Sequence, residues 1–413
     1  MRKVVVFGGL IFLLVCMVIF LSHSCNRKGN GMTIPQPPPT PDPIDPIPLN
    51  VYIENSGSMN GYVNGVTEFK TILFRYLSLI ENAGFAESFD LYYINSRKIL
   101  IDTPIENFIN NLTPTHFAKM GGNLGTTEIS DVIKSVLSNT SKDTISILVT
   151  DGIFSPGKKD PNQYLEIEKI KIMNSVDSFM KANKNPAIIV YKLSALFNGT
   201  YFNRINTSIT INEQRPFYLW VIGNVEQLTE LHTKILENDF QGSAVQQVFS
   251  TTTGNKSANY AVKMGSGNFK LDRKSPKTTI TKWKTNTRGL ARGTASFSIN
   301  ADLSGFLLSD DYLLDTQNYE LSDKDFSLSI TKSLPNTFGY SHEMKLTSSI
   351  VKKTSLSIKL KNQIPPWVEE TNDYDGSSAV AGKTYGIIFQ IQGVYEAFTN
   401  NTKYFTEIKI EIK

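Results

Sequence analysis

The sequence contains almost no cysteine and little histidine. Its two cysteines, Cys16 and Cys25, both lie in the first 25 residues, so the rest of the 413-residue chain has no thiol. This excludes disulfide frameworks, cysteine-ligated zinc and cysteine nucleophiles from the folded body. The four histidines are scattered and form no His-Glu-x-x-His motif, so a histidine-based catalytic metal site is not expected. If a metal is bound, its ligands must be oxygens.

The chain also lacks a strong excess of charge. It has 42 basic and 38 acidic residues, a net charge of +4, which gives no case for nucleic-acid binding. Because 40% of its residues are hydrophobic, it can bury a core, and its length predicts two or three domains.

The N-terminus has the pattern of an export signal. Arg2 and Lys3 precede an apolar run over residues 4–21, and Ser24 and Cys25 follow it. This order resembles a bacterial lipoprotein signal, which implies that residues 1–25 are the signal and that Cys25 is lipidated. The alternative is an uncleaved membrane anchor, because 18 apolar residues could just span a bilayer. Both interpretations predict a membrane-anchored protein of the cell envelope, with its body outside the cytoplasm.

Residues 26–48 predict a linker. Eight of the chain's 18 prolines lie between Pro35 and Pro48, and such a stretch favours extended polyproline geometry over helix or sheet. We therefore expect a semi-rigid spacer between the membrane and the folded body.

Residues 49–240 predict an α/β domain with a doubly wound, mostly parallel sheet. Short β-rich runs at 49–54, 89–94, 144–150, 187–193 and 217–222 alternate with segments of helical period at 67–82, after Thr127, near 164–181 and after Asn224. Such sheets bind ligands at the carboxyl ends of their strands. The polar residues that follow the apolar runs are therefore the candidate site.

Three such places share one chemistry. Glu54, Ser56 and Ser58 follow the first run, Asp151 follows the run at 144–150, and Thr127 precedes a helix. These five side chains offer only oxygen ligands, which suit Mg²⁺ or Mn²⁺.

The residues resemble the von Willebrand factor A domain and its metal-ion-dependent adhesion site, whose pattern is Asp-x-Ser-x-Ser, then Thr, then Asp-Gly. The resemblance covers residues 49–238 and implies that Ser56, Ser58, Thr127 and Asp151 hold the metal, with Thr126 as the second choice for the threonine. It also implies an open coordination position for a carboxylate from a protein partner. Glu54 departs from the family, which has aspartate there. Its longer side chain leaves three outcomes: a working Mg²⁺ or Mn²⁺ site, a site of unusual geometry, or a vestigial hydrogen-bonded loop.

Residues 241–413 predict a β-rich, antiparallel, sandwich-like domain. Apolar and polar residues alternate in several segments, including 295–303 and 408–412. The nearly continuous apolar run at 385–398 predicts a central strand that turns into a short helix. Residues 270–292 carry eight basic residues and Trp283, which predicts either a solvated edge strand protected by its lysines or a surface for anionic lipid or polysaccharide.

Three functions follow from these features. The favoured one is an adhesion module that recognises a protein partner through a divalent cation. The second is a structural envelope component with a vestigial metal site that binds through its β-rich domain. The third, a metal hydrolase, is least favoured because no Gly-x-Ser-x-Gly motif and no base for Ser56 can be named, so an enzyme is not expected.

Overall fold

The computed structural model describes residues 45–125, 127–157, 160–235, 247–253, 257–333, 339–399 and 403–413. The predicted export signal, Cys25, Thr126 and nearly all of the predicted linker lie outside these residues. Residues 42–413 form one compact unit, and its three hydrophobic cores begin at Ile47, so we expect it to fold without the first 41 residues. No helix in the described part of the chain is long and apolar enough to cross a membrane.

The first layer is a seven-stranded sheet. Its strands are β1 (Ile47–Glu54), β2 (Ala86–Ile94), β3 (Lys98–Ile101), β4 (Ile145–Thr150), β5 (Pro186–Phe202), β6 (Ser208–Asn224) and β7 (Gln247–Thr252). They lie in the order β3-β2-β1-β4-β6-β5-β7. Strand β1 is parallel to both of its neighbours, β2 and β4, and every other neighbouring pair is antiparallel. The sheet is therefore mixed, and the prediction of a mostly parallel sheet is wrong.

Hairpins explain this difference. Strands β5 and β6 pair along their whole length, from Pro186 opposite Asn224 to Phe202 opposite Ser208, and only five residues connect them. A connection that short forces neighbouring strands to be antiparallel, whereas a parallel pair needs a crossover. The sequence indicated only the apolar parts of these strands that lie farther from the connecting turn, at 187–193 and 217–222.

Helices cover both faces of this sheet. The α-helices in the described residues are α1 (Asn60–Val63), α2 (Glu68–Asn82), α3 (Ile105–Asn110), α4 (Pro114–Met120), α5 (Ile129–Asn139), α6 (Pro161–Ala182), α7 (Val225–Ile235), α8 (Asp310–Leu314), α9 (Pro366–Thr371) and α10 (Ile387–Thr399). Helices α2, α3, α4 and α7 share a core with Val51 and Ile53 of β1. Helices α5, α6, α9 and α10 share a second core with Tyr52, which lies between those two residues. Successive residues of a strand point to opposite faces, so β1 contributes to both cores.

Helix α2 shows how the sequence specifies a helix here. The hydroxyl of Thr67 accepts a hydrogen bond from the backbone N–H of Lys70 at 3.4 Å, which caps the first turn. Gly84, with φ of 62°, follows the last turn. The buried residues recur every three or four positions, as the sequence predicted: Phe69, Leu73, Tyr76, Leu77 and Ile80.

The second layer consists of two further sheets. Their strands are β8 (Asn259–Val262), β9 (Lys270–Leu271), β10 (Thr279–Thr281), β11 (Ala295–Asp302), β12 (Tyr319–Leu321), β13 (Phe326–Lys332), β14 (His342–Ser348), β15 (Thr354–Lys361) and β18 (Tyr404–Ile412). One sheet has the order β12-β15-β18-β10-β9 and the other β13-β14-β11-β8. All pairs are antiparallel except β10 with β18, and both sheets contribute to one core. The predicted antiparallel pairing of this part is confirmed.

Two elements from residues 241–413 belong to the first layer. Strand β7 pairs with β5 at the edge of the seven-stranded sheet, and α10 packs against α6. Gly393 permits this packing, because a Cβ atom there would lie 2.7 Å from the carbonyl oxygen of Lys169. The predicted strand within 385–398 is wrong: only Thr384–Tyr385 is extended, as β17 beside β16 (Asn372–Asp373), and the apolar run is helix from Ile387. An uninterrupted apolar run has no period with which to separate a buried helix from a buried strand.

Candidate functional site

The candidate site lies at the carboxyl ends of β1 and β4. These strands are parallel neighbours, with Ile53 opposite Val149, so Glu54 ends one strand beside Thr150 of the other. After β1 the chain turns into a short 3₁₀ helix, Gly57–Met59, that leads directly into α1. Parallel pairing therefore brings residues that are about a hundred positions apart in the chain to one edge of the sheet.

Glu54 is buried at the floor of this site. Only 4% of it is exposed, and its Oε2 accepts a hydrogen bond from the hydroxyl of Thr150. Burial, and next the negative charge of Asp151, raise the pKa of Glu54 to about 8, against the smaller opposing effects of hydrogen bonds from Thr150 and Ser56. At neutral pH this carboxyl therefore favours a proton or another positive charge.

Asp151 is the second buried carboxylate. Its Oδ1 accepts a hydrogen bond from the backbone N–H of Ile153 at 3.1 Å, whereas its buried Oδ2 has no hydrogen-bond partner. Burial raises the pKa of Asp151, while the nearby Ser58 hydroxyl, the Ile153 N–H and the Arg215 guanidinium oppose that shift. An unpartnered carboxylate oxygen in a buried position is unfavourable unless something positive or a donor lies against it.

The two serines lie together on the loop after β1. Their hydroxyl oxygens are 2.8 Å apart, with Ser56 buried and Ser58 half-buried. The loop is fixed by a hydrogen bond from the backbone N–H of Gly57 to the carbonyl of Leu124, at 2.8 Å. Gly57 lies so close to Leu124 that a Cβ atom would approach this carbonyl to 3.0 Å. The loop after β1 is thus held against the loop that precedes α5.

Thr127 lies on that second loop and lines the same cavity as Glu54 and the two serines. It is 7% exposed, and its hydroxyl donates to the carbonyl of Asn123 at 3.4 Å, within its own loop. Thr126, the second choice for this position, lies outside the described residues.

The site opens into a cavity of about 420 Å³. Its lining combines polar and apolar side chains. The lining residues are Glu54, Ser56, Gly57, Ser58, Asn60, Leu124, Gly125, Thr127, Ile153, Ser155, Phe202 and Asn206. Asp151 lies beneath this surface and is 1% exposed. Of the five predicted residues, four therefore line one cavity, and the charge of the fifth, Asp151, acts on Glu54.

Sequence reasoning missed several contributors to the site, among them Thr150, Phe202 and Asn206. Thr150 binds Glu54, but a single threonine in an apolar strand gives no signal of that role. Phe202 and Asn206 reach the cavity from the β5–β6 turn, which the sequence did not identify as a hairpin.

Sequence reasoning also missed Arg215. It is 2% exposed, forms an ion pair with Glu213 at 2.9 Å and donates to the carbonyl of Lys383 at 2.8 Å. Burial raises the pKa of Asp151, and the charge of Arg215 opposes that rise. The only sequence signal was an arginine that directly precedes the apolar part of β6.

The arrangement favours a bound cation. Two buried carboxyl groups that repel each other lie beside two serine hydroxyls, and one carboxylate oxygen has no partner. Hard cations such as Mg²⁺ prefer this oxygen-only set, and Glu54, Ser56, Ser58 and Asp151 are the residues that would hold one. Within the described ranges, no three residues among His, Cys, Asp and Glu cluster as a metal site, so serine hydroxyls must complete the ligand set.

Comparisons of this chain with protein-family models, curated proteins and solved structures found no match.

Proposed function

We propose that this protein is an exported binding module that presents a divalent cation to a carboxylate of a protein partner. The cation is Mg²⁺ or Mn²⁺, held by Glu54, Ser56, Ser58 and Asp151 with Thr127 at the rim. The observation that carries the proposal is the pair of buried carboxyl groups, Glu54 and Asp151, of which Asp151 leaves Oδ2 without a hydrogen bond. The cavity above them supplies the space for a partner's side chain.

The finer assignment of the fold, a von Willebrand factor A domain with an adhesion site, belongs to this proposal. It is supported by the order of the elements that carry the three motifs, and by a central sheet with helices on both faces. The antiparallel pairing of β4, β6, β5 and β7 is a departure from a doubly wound parallel sheet. The site itself depends on β1, β2 and β4, which are parallel.

Glu54 fits a cation site despite its extra methylene. One of its oxygens binds Thr150, and the other remains for a cation or for Ser56. When a cation is bound, it would neutralise the Glu54–Asp151 pair and act as the ligand for an incoming carboxylate. The protein's own contribution is to hold the ligand oxygens in place and to shield them from water on the side that faces the sheet.

The location of the protein is part of the same proposal. A lipidated Cys25 would tether the body to the outer side of a membrane, and the proline-rich residues would hold it away from the surface. An uncleaved anchor remains the alternative. Loss of metabolic lipid labelling in Cys25→Ala would support the lipoprotein, whereas persistent labelling or an intact N-terminus would contradict it.

Calorimetric titration of residues 42–413 with Mg²⁺ and Mn²⁺ tests the cation site. We expect saturable binding by the wild type and at least tenfold weaker binding by Ser58→Ala, because the variant lacks one ligand. Ser138→Ala is the matched control, since this serine lies exposed on α5, away from the cavity. No response of the wild type to Mg²⁺, Mn²⁺ or Ca²⁺ would contradict the proposal.

A structural envelope component is the second candidate. The burial of Glu54 favours it, because burial keeps a proton on this carboxyl at neutral pH, and the hydrogen bond from Thr150 gives one carboxyl oxygen a partner without metal. This candidate predicts no cation binding, and a loss of only about 1 kcal/mol of stability in Ser58→Ala, the cost of one turn hydrogen bond.

A further inference from the structure

Residues 270–292, called the basic segment below, carry a dense cluster of positive charges within the β-rich residues 241–413. The segment has eight basic residues and one acidic residue, a net charge of +7, while the whole chain has +4, so the other residues together carry −3. All eight cations are exposed, and none forms an ion pair with another described residue. They are Lys270, Arg273, Lys274, Lys277, Lys282, Lys284, Arg288 and Arg292.

The backbone of the basic segment is firmly attached to the sandwich. Ile280 is fully buried, and the ring of Trp283 stacks on Phe326 with centroids 5.6 Å apart and planes 7° from parallel. Lys282 lies between them with φ of 54°, a left-handed conformation that is costly for a residue with a side chain. Ile280 and Trp283 are buried in the core, whereas Lys282 and Lys284, on either side of Trp283, are both exposed. The positive charge therefore has a fixed position on the surface.

Edge protection accounts for only part of this charge. Strand β9 is the edge of its sheet, and an exposed lysine such as Lys270 would hinder pairing with another strand. Arg288 and Arg292 lie beyond the strands, on a loop closed by a hydrogen bond from the backbone N–H of Asn286 to the carbonyl of Thr294 at 2.7 Å. These two arginines therefore need another explanation.

Leu290 lies at the tip of that loop, between the two arginines. Its relative exposure is 111%, so its side chain packs against nothing in the described chain. The loop is held in shape by a second hydrogen bond, from the backbone N–H of Gly293 to the carbonyl of Asn286 at 2.9 Å. An apolar side chain held out between two cations matches a surface that is negatively charged outside and apolar beneath.

We propose that the basic segment docks the body on a bilayer of anionic phospholipid, with Leu290 entering the interface and the cations binding lipid phosphates. A bilayer satisfies both features, because anionic headgroups attract lysine and arginine while the acyl boundary accepts an apolar side chain. A soluble polyanion such as a polysaccharide or nucleic acid would use the cations but gives no reason for an isolated exposed leucine. The inference is independent of the cation site and of any lipid on Cys25.

Binding of residues 42–413 to lipid vesicles tests the proposal, because this compact unit contains no N-terminal hydrophobic run. We expect binding to vesicles of phosphatidylcholine with phosphatidylglycerol, none to pure phosphatidylcholine, and weaker binding in high salt. Each cation near an anionic surface contributes about a fivefold change in binding, so Arg288→Ser/Arg292→Ser should weaken it about 25-fold. Leu290→Ser should weaken it about tenfold.

Matched controls remove the same charge or apolar surface elsewhere. Lys181→Ser/Lys184→Ser removes two exposed cations at the end of α6, and Val66→Ser removes a side chain that is 102% exposed. Both should bind vesicles nearly as the wild type does, and circular dichroism should show that every variant is folded. The proposal is overturned if the wild type ignores anionic vesicles, if the controls weaken binding equally, or if Leu290→Ser has no effect. Retention on heparin or DNA without vesicle binding would assign the segment to a soluble polyanion instead.

Discussion

Thr150 donates a hydrogen bond from its hydroxyl to Oε2 of Glu54, within the buried floor of the site. The same hydroxyl accepts a hydrogen bond from the backbone N–H of Gly152 at 2.9 Å, so Thr150 also shapes the turn that carries Asp151. One threonine thus positions both carboxyl groups of the site. Because an aspartate side chain is one methylene shorter, this contact is specific to the glutamate found in this chain.

Without divalent cations, the protein should lose stability as the pH rises from about 5 to about 9. Burial and Asp151 raise the pKa of Glu54 from 4.5 to about 8, so the folded state keeps a proton that the unfolded chain releases. A raised folded pKa gives stability that is complete below the unfolded value and is lost as the pH rises through the folded one. Asp151, whose pKa is also raised, acts in the same direction. Urea unfolding across this range measures the effect.

Glu54→Gln is the variant that isolates this effect. It keeps a hydrogen-bonding side chain but cannot ionise, so the decline above neutral pH should shrink and the variant should exceed the wild type by a few kcal/mol at about pH 9. Asp143→Asn alters a largely exposed carboxyl and should follow the wild type. A pH-independent wild type would show that the two carboxyl groups do not interact as described.

Shortening Glu54 to aspartate should preserve or strengthen Mg²⁺ binding, because it restores the spacing of the adhesion-site pattern that the sequence resembles. Glu54→Ala should weaken it, since it removes a ligand and half of the negative charge. The rise in melting temperature with added Mg²⁺ is the measurement, and a ligand at about 100 times its Kd stabilises the folded state by about 3 kcal/mol. If neither the wild type nor Glu54→Asp responds, the metal hypothesis fails.

Replacing Arg215 with methionine should destabilise the protein by about 3 kcal/mol, because buried carbonyl groups and Glu213 lose their partner. The guanidinium donates to the carbonyls of Lys383 and Val380, at 2.8 and 3.3 Å, and lies 4.4 Å from the centre of the Tyr201 ring. Arg215→Lys keeps the positive charge but not the forked donor of the guanidinium. Its stability should therefore lie between those of the wild type and Arg215→Met. Urea unfolding measures the loss.

Arg273→Met is the control for Arg215. Arg273 is exposed and has no ion pair within the described chain, so its loss should change stability by no more than about 0.5 kcal/mol. An equal loss in both variants would mean that the buried contacts of Arg215 contribute nothing specific.

Gly61→Ala should destabilise the protein by about 1–3 kcal/mol through overpacking. A Cβ atom at Gly61 would lie 2.3 Å from the ring of Phe197, which is itself buried against Tyr62 with ring centroids 5.0 Å apart. Gly305→Ala is the control, because no atom lies within 4 Å of a Cβ there. Thermal unfolding of the two variants should separate them, and equal melting temperatures would contradict the described packing.

The sequence predicted those features that depend on local patterns. The apolar period of α2 and α5 gave these helices, and the polar residues that follow β1 and β4 gave a candidate site that the structure brings together. Helical period and strand ends can both be recognised within about ten residues of sequence, without knowledge of distant partners.

The features that sequence reasoning missed depend on distant partners. The β5–β6 hairpin has polar outer halves that resemble loop, and they become strand only because each half pairs with the other. Arg215 belongs to the site region through carbonyl groups more than 160 residues away in the chain. Helix α10 has apolar residues on nearly every side, so its burial, and not its period, decides its structure.

The return of α10 to α6 affects the order in which the protein can fold. A chain that emerges N-terminus first has completed every other helix that packs on the seven-stranded sheet before Ile387 appears. At that stage the face of α6 that packs against Gly393 is still uncovered, because α10 has not formed. Ile172 of α6, which lies 3.1 Å from the position of a Cβ atom at Gly393, lacks this contact until only the last strand of the sandwich remains to be made. Vectorial folding therefore passes through an intermediate with an uncovered apolar face, a natural binding site for a chaperone.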